Sequence, residues 1–168
     1  MNFIIDIMNS KSLQKTIPLA GTVDESVVDG DGIRYVIFVQ GCPHACKGCH
    51  NPHMWTKEGG KEITLASILN EVSSNPLLSG ITFSGGEPFL YAYELAILAA
   101  DIQKMGKTVW CYTGYTLNEL QILSKTNEHI TNLLSNINVL VDGKFIEELK
   151  DEKLSFRGSS NQNIVYLK

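Results

Sequence analysis

Three cysteines fall within eight residues, in the run Gly41-Cys42-Pro43-His44-Ala45-Cys46-Lys47-Gly48-Cys49-His50-Asn51-Pro52, spaced C-x3-C-x2-C. The run follows Arg34-Tyr-Val-Ile-Phe-Val-Gln40, a β-branched and aromatic stretch that reads as a buried strand ending at Gly41. Such a chain must gather three thiols in one loop at the end of a strand. Three thiolates can hold three corners of a cubane iron–sulfur cluster, which takes four thiolates when fully ligated. No fourth cysteine stands nearby, so one iron is left open to a small molecule.

The same thiols with His44, His50 or His53 offer an alternative, a tetrahedral structural zinc site. Zinc fingers, however, join a C-x2-C pair to a distant second pair, and this chain has none. Cys111 is alone inside Lys107-Thr-Val-Trp-Cys-Tyr112 and reads as a packed core thiol in a strand. A disulfide framework belongs to small secreted chains. Here Phe3-Ile4-Ile5 is interrupted by Asp6 and leads to no small-residue cleavage site. No apolar run approaches the length of a membrane span. With 168 residues, 43% apolar content and a net charge of −4, the chain is expected to form a single soluble domain over residues 1–168. The mild acidity leaves no electrostatic footprint for nucleic acid. Free thiols predict a reducing, cytoplasmic location.

Strand and helix patterns alternate from Arg34 onward. Leu65, Ile68, Leu69 and Val72 share one face of a helix over residues 64–75, with Thr64 as N-cap and Pro76 as its stop. Gly80 to Ser84 reads as a strand, Phe89 to Met105 as a helix ended by Gly106, and Lys107 to Tyr112 as a strand. Thr116 to Ser135 is helical with a break near Lys125-Thr-Asn127. Ile137 to Val141 is a strand, Phe145 to Lys150 a short helical stretch, and Asn163 to Leu167 a last strand. The alternation implies an α/β fold with βαβ units and a parallel sheet. A closed eight-stranded barrel takes roughly 250 residues. The expected architecture is therefore a partial, open (β/α) barrel of about five or six parallel strands.

Ser84-Gly85-Gly86-Glu87-Pro88 ends the second of these strands, at the rim where parallel α/β folds bind ligands. Two glycines permit a sharp turn and close approach of backbone to a ligand. Glu87 can accept a charge-assisted hydrogen bond from an ammonium group. An ordinary strand-to-helix turn with Pro88 at the first helical position would look the same. Its place one βα unit after the cysteine loop gives the turn its weight.

Together these stretches resemble the radical S-adenosylmethionine superfamily. Val28-Asp-Gly-Asp-Gly-Ile-Arg34 and the Gln40–Pro52 run, with Trp55 beyond, are similar to activating enzymes of glycyl-radical enzymes. Trp110-Cys-Tyr-Thr-Gly-Tyr-Thr116, Val139-Leu-Val-Asp-Gly-Lys-Phe145 and Phe156-Arg-Gly-Ser-Ser-Asn-Gln162 narrow the likeness to activators of anaerobic ribonucleoside-triphosphate reductase. It covers about residues 18–167. Pyruvate formate-lyase activases resemble the first half but are longer and lack the last stretch. Two departures stand out. Gly48 precedes the third cysteine where many superfamily members carry an aromatic, and Asp31 stands where Asp-Gly-Pro-Gly is usual.

The resemblance implies a [4Fe-4S] cluster on Cys42, Cys46 and Cys49. S-adenosylmethionine would chelate its open iron and be cleaved reductively to methionine and a 5′-deoxyadenosyl radical. That radical would take hydrogen from a glycine Cα of the reductase, with a low-potential electron donor as second partner. Glu87 is expected near the methionine ammonium, Gly85 and Gly86 close to the ligand, and the backbone of Gly48, Cys49 and His50 beside adenine. Lys144 is expected near the methionine carboxylate, Asp142 near ribose or a cation, and Thr113 on the same rim. His44, His50 and His53 are expected as supporting loop groups. Arg34 and Arg157 would contact the partner or form ordinary ion pairs. The Phe156–Gln162 run, rich in glycine and small polar residues, is expected to be an exposed surface shaping the opening for the reductase loop. Competing readings are an activase of another glycyl-radical enzyme, a small-molecule radical enzyme, and a non-catalytic electron carrier or zinc module.

Overall fold

A computed structural model describes residues 11–168. The apolar stretch Phe3 to Ile5 lies outside them. One mixed sheet of seven strands organises the chain, in the order β3-β1-β2-β4-β5-β6-β7. The strands are β1 (Thr16–Ser26), β2 (Arg34–Val39), β3 (Lys61–Thr64), β4 (Gly80–Gly85), β5 (Thr108–Tyr112), β6 (Val139–Asp142) and β7 (Asn163–Tyr166). Only β2, β4, β5 and β6 run parallel to one another. β1 is antiparallel to both β2 and β3, and β7 is antiparallel to β6. The expectation of five or six parallel strands is corrected to four. The terminal pairs are added as hairpin-like partners that need no crossover helix.

The helices are α1 (Leu65–Ser74), α2 (Ala92–Lys104), α3 (Leu117–Ser124) and α4 (Glu128–Ser135). Thr64 caps α1 by accepting the Ser67 N–H, as its sequence position suggests. The break between α3 and α4 follows from Asn127, whose side chain caps the new helix at His129 N–H. The expected helix from Phe89 begins instead as a 3-10 turn, Pro88–Tyr91, before α2 takes over. Among the described residues no helix is long and apolar enough to cross a membrane.

The parallel strands are buried on both faces, so their sequences are near-continuous apolar runs. Alternation along them sorts the side chains. Ile37, Val39, Ile81, Phe83, Val109, Cys111 and Leu140 pack with Leu69, Leu95, Leu98 and Ile102 of the helices in the main core. The opposite face carries Phe38, Ser84, Trp110, Tyr112, Val139 and Val141. There Trp110 packs with Val139 and Val141, and Phe156 meets it edge-on at 5.2 Å. Gly30, at φ +128°, lies flat on the same indole: a Cβ there would come within 2.7 Å of the ring. This second face holds the site.

Arg34 corrects its expected role. It is fully buried at the base of the sheet. Its guanidinium donates to the Thr82 hydroxyl at 3.2 Å, the Thr108 hydroxyl at 2.6 Å and the carbonyls of Ile81 and Thr108. It is therefore a strand cross-tie and is closed to partners. Burial lowers its pKa to about 10, which leaves it charged at neutral pH.

Candidate active site

The cysteine loop leaves β2 at Gly41, whose φ of +99° turns the chain sharply over the sheet edge. Its ends are tied by backbone bonds, Gly41 N–H to Met54 O at 2.9 Å and Cys42 N–H to Trp55 O at 3.0 Å. The buried Gln40 amide donates to the His53 and Thr56 carbonyls and secures the return. Cys42, Cys46 and Cys49, all half-buried, line one cavity of about 300 Å³. Among the described residues no three His, Cys, Asp or Glu side chains are placed to hold a single metal ion. Three thiols lining one cavity could hold corners of a cubane cluster. Burial raises the Cys42 thiol pKa, and the Glu87 charge adds to it. Metal loading must therefore displace that proton. Cys111 is fully buried in the core, with its thiol pKa well above the usual range.

Gly85, Gly86 and Thr113 line the same cavity, as do Phe38, Ser84 and Tyr112. The Gly-Gly turn is built against backbone. A Cβ on Gly85 would lie 2.5 Å from Val39 N, and one on Gly86 would lie 2.1 Å from Gly41 O. The turn thus seats against the strand end that carries the cysteines, and both glycines still reach the cavity. A small-residue rim and three thiols around one open cavity together fit a cluster with a small cosubstrate beside it.

Other expected residues stand further back. Glu87 is fully buried behind the cavity wall. It accepts from Phe89 N–H at 3.0 Å, the Thr113 hydroxyl at 2.9 Å, Gly114 N–H at 2.9 Å and His44 Nε2–H at 2.7 Å. Asp142 is also buried, and its oxygens accept from Leu117 N–H at 2.7 Å and Asn163 Nδ2 at 2.9 Å, tying α3 to β7. Lys144 is exposed beside it. Gly48, at φ +71°, faces Glu147 outside the cavity, while His50 lines the cavity with its ring 5.1 Å from Phe145. Sequence reasoning did not assign Asp29, Gly114 or Gln162 to the site, though all three line it. Gln162 ends the Phe156–Gln162 run, but only the closed loop shows where its amide points.

That loop, residues 143–162, corrects the expected exposed surface. Ser159 is fully buried and Arg157, Gly158, Asn161 and Gln162 are half-buried. The Gln162 side chain accepts from Gly158 N–H at 2.9 Å and Ser159 N–H at 3.1 Å, and donates to Gly143 O at 2.9 Å. Asn161 Nδ2 donates to Lys144 O at 2.8 Å, and Arg157 to Gln162 O at 3.2 Å. These polar groups replace the strand partners that the loop backbone lacks. Gln162→Ala is expected to cost about 2–3 kcal/mol, measured by urea unfolding, and to open residues 143–162 to protease. Asn161→Ala, with one bond lost, should cost about 1 kcal/mol. Equal, small effects would make the loop an independent surface after all.

A family model described as a 4Fe-4S single cluster domain matches residues 28–165. The chain is similar to the anaerobic ribonucleoside-triphosphate reductase-activating protein of Escherichia coli (strain K12). They share 38% identity in an alignment of 151 positions that covers 84% of this chain and 94% of that protein. The proteins of the same name from Vibrio cholerae and Enterobacteria phage T4 are 39% and 33% identical, each across 82% of this chain and 90% and 86% of their own lengths. A likeness of this extent, running along most of the relatives' own length, makes the chain a member of the family of anaerobic ribonucleoside-triphosphate reductase-activating proteins.

Proposed function

We propose that the protein installs the glycyl radical on anaerobic ribonucleoside-triphosphate reductase by reductive cleavage of S-adenosylmethionine at a [4Fe-4S] cluster. The observation that carries this reading is one shared cavity at the carboxyl ends of parallel strands, lined by three thiols and the Gly85–Gly86 turn. Cys42, Cys46 and Cys49 hold the cluster. Bound there, the cluster would supply the electron for reductive cleavage of S-adenosylmethionine, the reaction whose radical product would take hydrogen from the target glycine. The protein's own part is placement and exclusion of water. Gly85 and Gly86 let the cosubstrate lie against backbone, and His50, Phe38 and Tyr112 border it. Thr113 and Glu87 brace that wall, with Asp142 and Lys144 on the neighbouring rim.

On this reading the seven-stranded, partly parallel sheet serves as the partial, open barrel of the superfamily in a single domain, and the reducing cytoplasm is where such a cluster persists. A second depression of about 660 Å³ adjoins the cavity through Asp29, His50, Tyr112 and Gly158. Its mouth bears Val27 and Val28, 70% and 71% exposed, beside Phe156. A depression that shares wall residues with the cavity suits a glycine carried on a protein loop.

The test is electron paramagnetic resonance of the anaerobically reduced, iron-loaded protein with S-adenosylmethionine and the reductase. The expected result is a glycyl-radical doublet on the reductase and 5′-deoxyadenosine in solution. Deoxyadenosine raised by a small substrate, with no radical on the reductase, would assign the protein to small-molecule chemistry instead.

A further inference from the structure

Glu87 has as many donors as it can use. A carboxylate offers about four lone-pair sites, and four groups donate to this one. Three of them, Phe89 N–H, Thr113 Oγ1 and Gly114 N–H, belong to the turns after β4 and β5, which the sheet already fixes. The fourth, His44 Nε2–H at 2.7 Å, comes from the cysteine loop, midway between Cys42 and Cys46. The His44 side chain is only 6% exposed. Its ring meets Tyr115 edge-on at 4.5 Å.

Gly114 completes the pocket for this ring. A Cβ there would lie 2.3 Å from the imidazole Cδ2, yet its backbone is not left-handed. Space for His44 is what the absent side chain provides. Beyond the tied ends of the loop, its other side-chain fastening is weaker. Lys47 pairs with Glu147 at 3.2 Å and Glu148 at 3.1 Å, but all three are exposed, and such pairs contribute little. Ala45 stands at φ +47°, a conformation non-glycine residues seldom hold without outside support.

We propose that His44 is a positioning residue: through Glu87 it pins the middle of the cysteine loop to the turns after β4 and β5. It thereby sets the three thiols against the Gly85–Gly86 wall. This rests on the reading of the cavity as a cluster and cosubstrate site. Glu87 is then an anchor behind the wall, acting on the cosubstrate through the loop it holds. A misplacement of about 1 Å between reacting groups costs on the order of a hundredfold in rate, so a single buried tie can matter.

The experiment compares His44→Ala, His44→Gln, Gly114→Ala and the His44→Ala/Gly114→Ala double variant, all reconstituted anaerobically with iron and sulfide. Iron content, the paramagnetic spectrum of the reduced cluster and its change on titration with S-adenosylmethionine are recorded. His44→Ala should keep most of its iron but bind the cosubstrate about tenfold to a hundredfold more weakly. Gly114→Ala, which displaces the ring without altering the loop sequence, should do the same. The double variant should match the worse single to within about twofold, because both changes break one contact. His44→Gln, whose amide can donate to the same oxygen, should recover most of the loss.

Unchanged or tighter binding in His44→Ala overturns the proposal, the tighter case making His44 a placeholder that the cosubstrate ammonium displaces. Additive losses in the double variant, or no recovery with Gln, overturn it as well. A wild-type spectrum indifferent to S-adenosylmethionine overturns the reading of the site and the proposal together. A responsive wild type with an equally responsive His44→Ala overturns the proposal alone.

Discussion

Alanine at any one of Cys42, Cys46 or Cys49 is expected to abolish radical formation and leave a defective iron site, whereas alanine at Cys111 leaves iron content close to the wild-type value. The three loop thiols line one cavity and are reachable from it. Cys111 faces the opposite side of the sheet, fully buried in the main core. Two thiolates cannot hold three corners of a cubane, and no other cysteine can swing in from the far face. Iron and sulfide analysis after anaerobic reconstitution gives the first readout. Deoxyadenosine formed from S-adenosylmethionine gives the second and should fall below detection for the loop variants. Cys111→Ala should lose only packing, about 1 kcal/mol of stability, by removing one small buried side chain. Equal loss of iron at Cys111 would make it a fourth ligand and close the iron on which the mechanism depends.

Much of the frame was legible because burial on both faces writes itself into sequence. β2, β4, β5 and β6 are near-continuous runs of apolar, β-branched and aromatic residues, and the caps at Thr64 and Asn127 mark helix starts whose side chains do what their types predict. β1 was not legible. Its run Thr16-Ile-Pro-Leu-Ala-Gly-Thr-Val-Asp-Glu-Ser26 contains Pro18 and Gly21, and most of its residues are exposed. Such a stretch becomes a strand only because β2 and β3 hydrogen-bond to it from either side. The direction of β7 was equally hidden, since it depends on how the 143–162 loop folds back.

At the site the difference is one of scale. Spacing alone brings the cysteines together, because ligands within one loop need no knowledge of the fold. Glu87 and Asp142 are separated from their partners by the fold itself: His44 lies 43 residues from Glu87, and Leu117 lies 25 from Asp142. A carboxylate at a strand end reads as a ligand group in either case. Only the packed structure shows whether its lone pairs face the cavity or are already taken by the chain.

Arg34→Ala is expected to destabilise the protein by about 3–5 kcal/mol, the largest stability loss of any single substitution considered. In the sheet register Arg34 stands opposite Gly80, and Gly80 opposite Thr108. With no side chain on Gly80, the guanidinium can cross the intervening strand and reach Thr108. It thereby joins β2, β4 and β5 with four donated bonds inside the protein. Alanine leaves those acceptors without a donor and opens a void. Arg34→Lys should retrieve only part of the loss, because one compact ammonium cannot span the same acceptors. Arg34→Met should be milder than Ala, since it refills the space and removes the desolvation that lowers the guanidinium pKa. A folded pKa lowered by burial to about 10, below the guanidinium's ordinary value, means the unfolded state holds the proton more tightly. The group's contribution is therefore flat through neutral pH and becomes more favourable only as pH rises beyond about 10. Urea unfolding at neutral pH, with the slope checked for constancy, measures the series. Losses below about 1 kcal/mol for Ala would show that water or the sheet's own ladder satisfies these acceptors, and that the three strands hold together without the cross-tie.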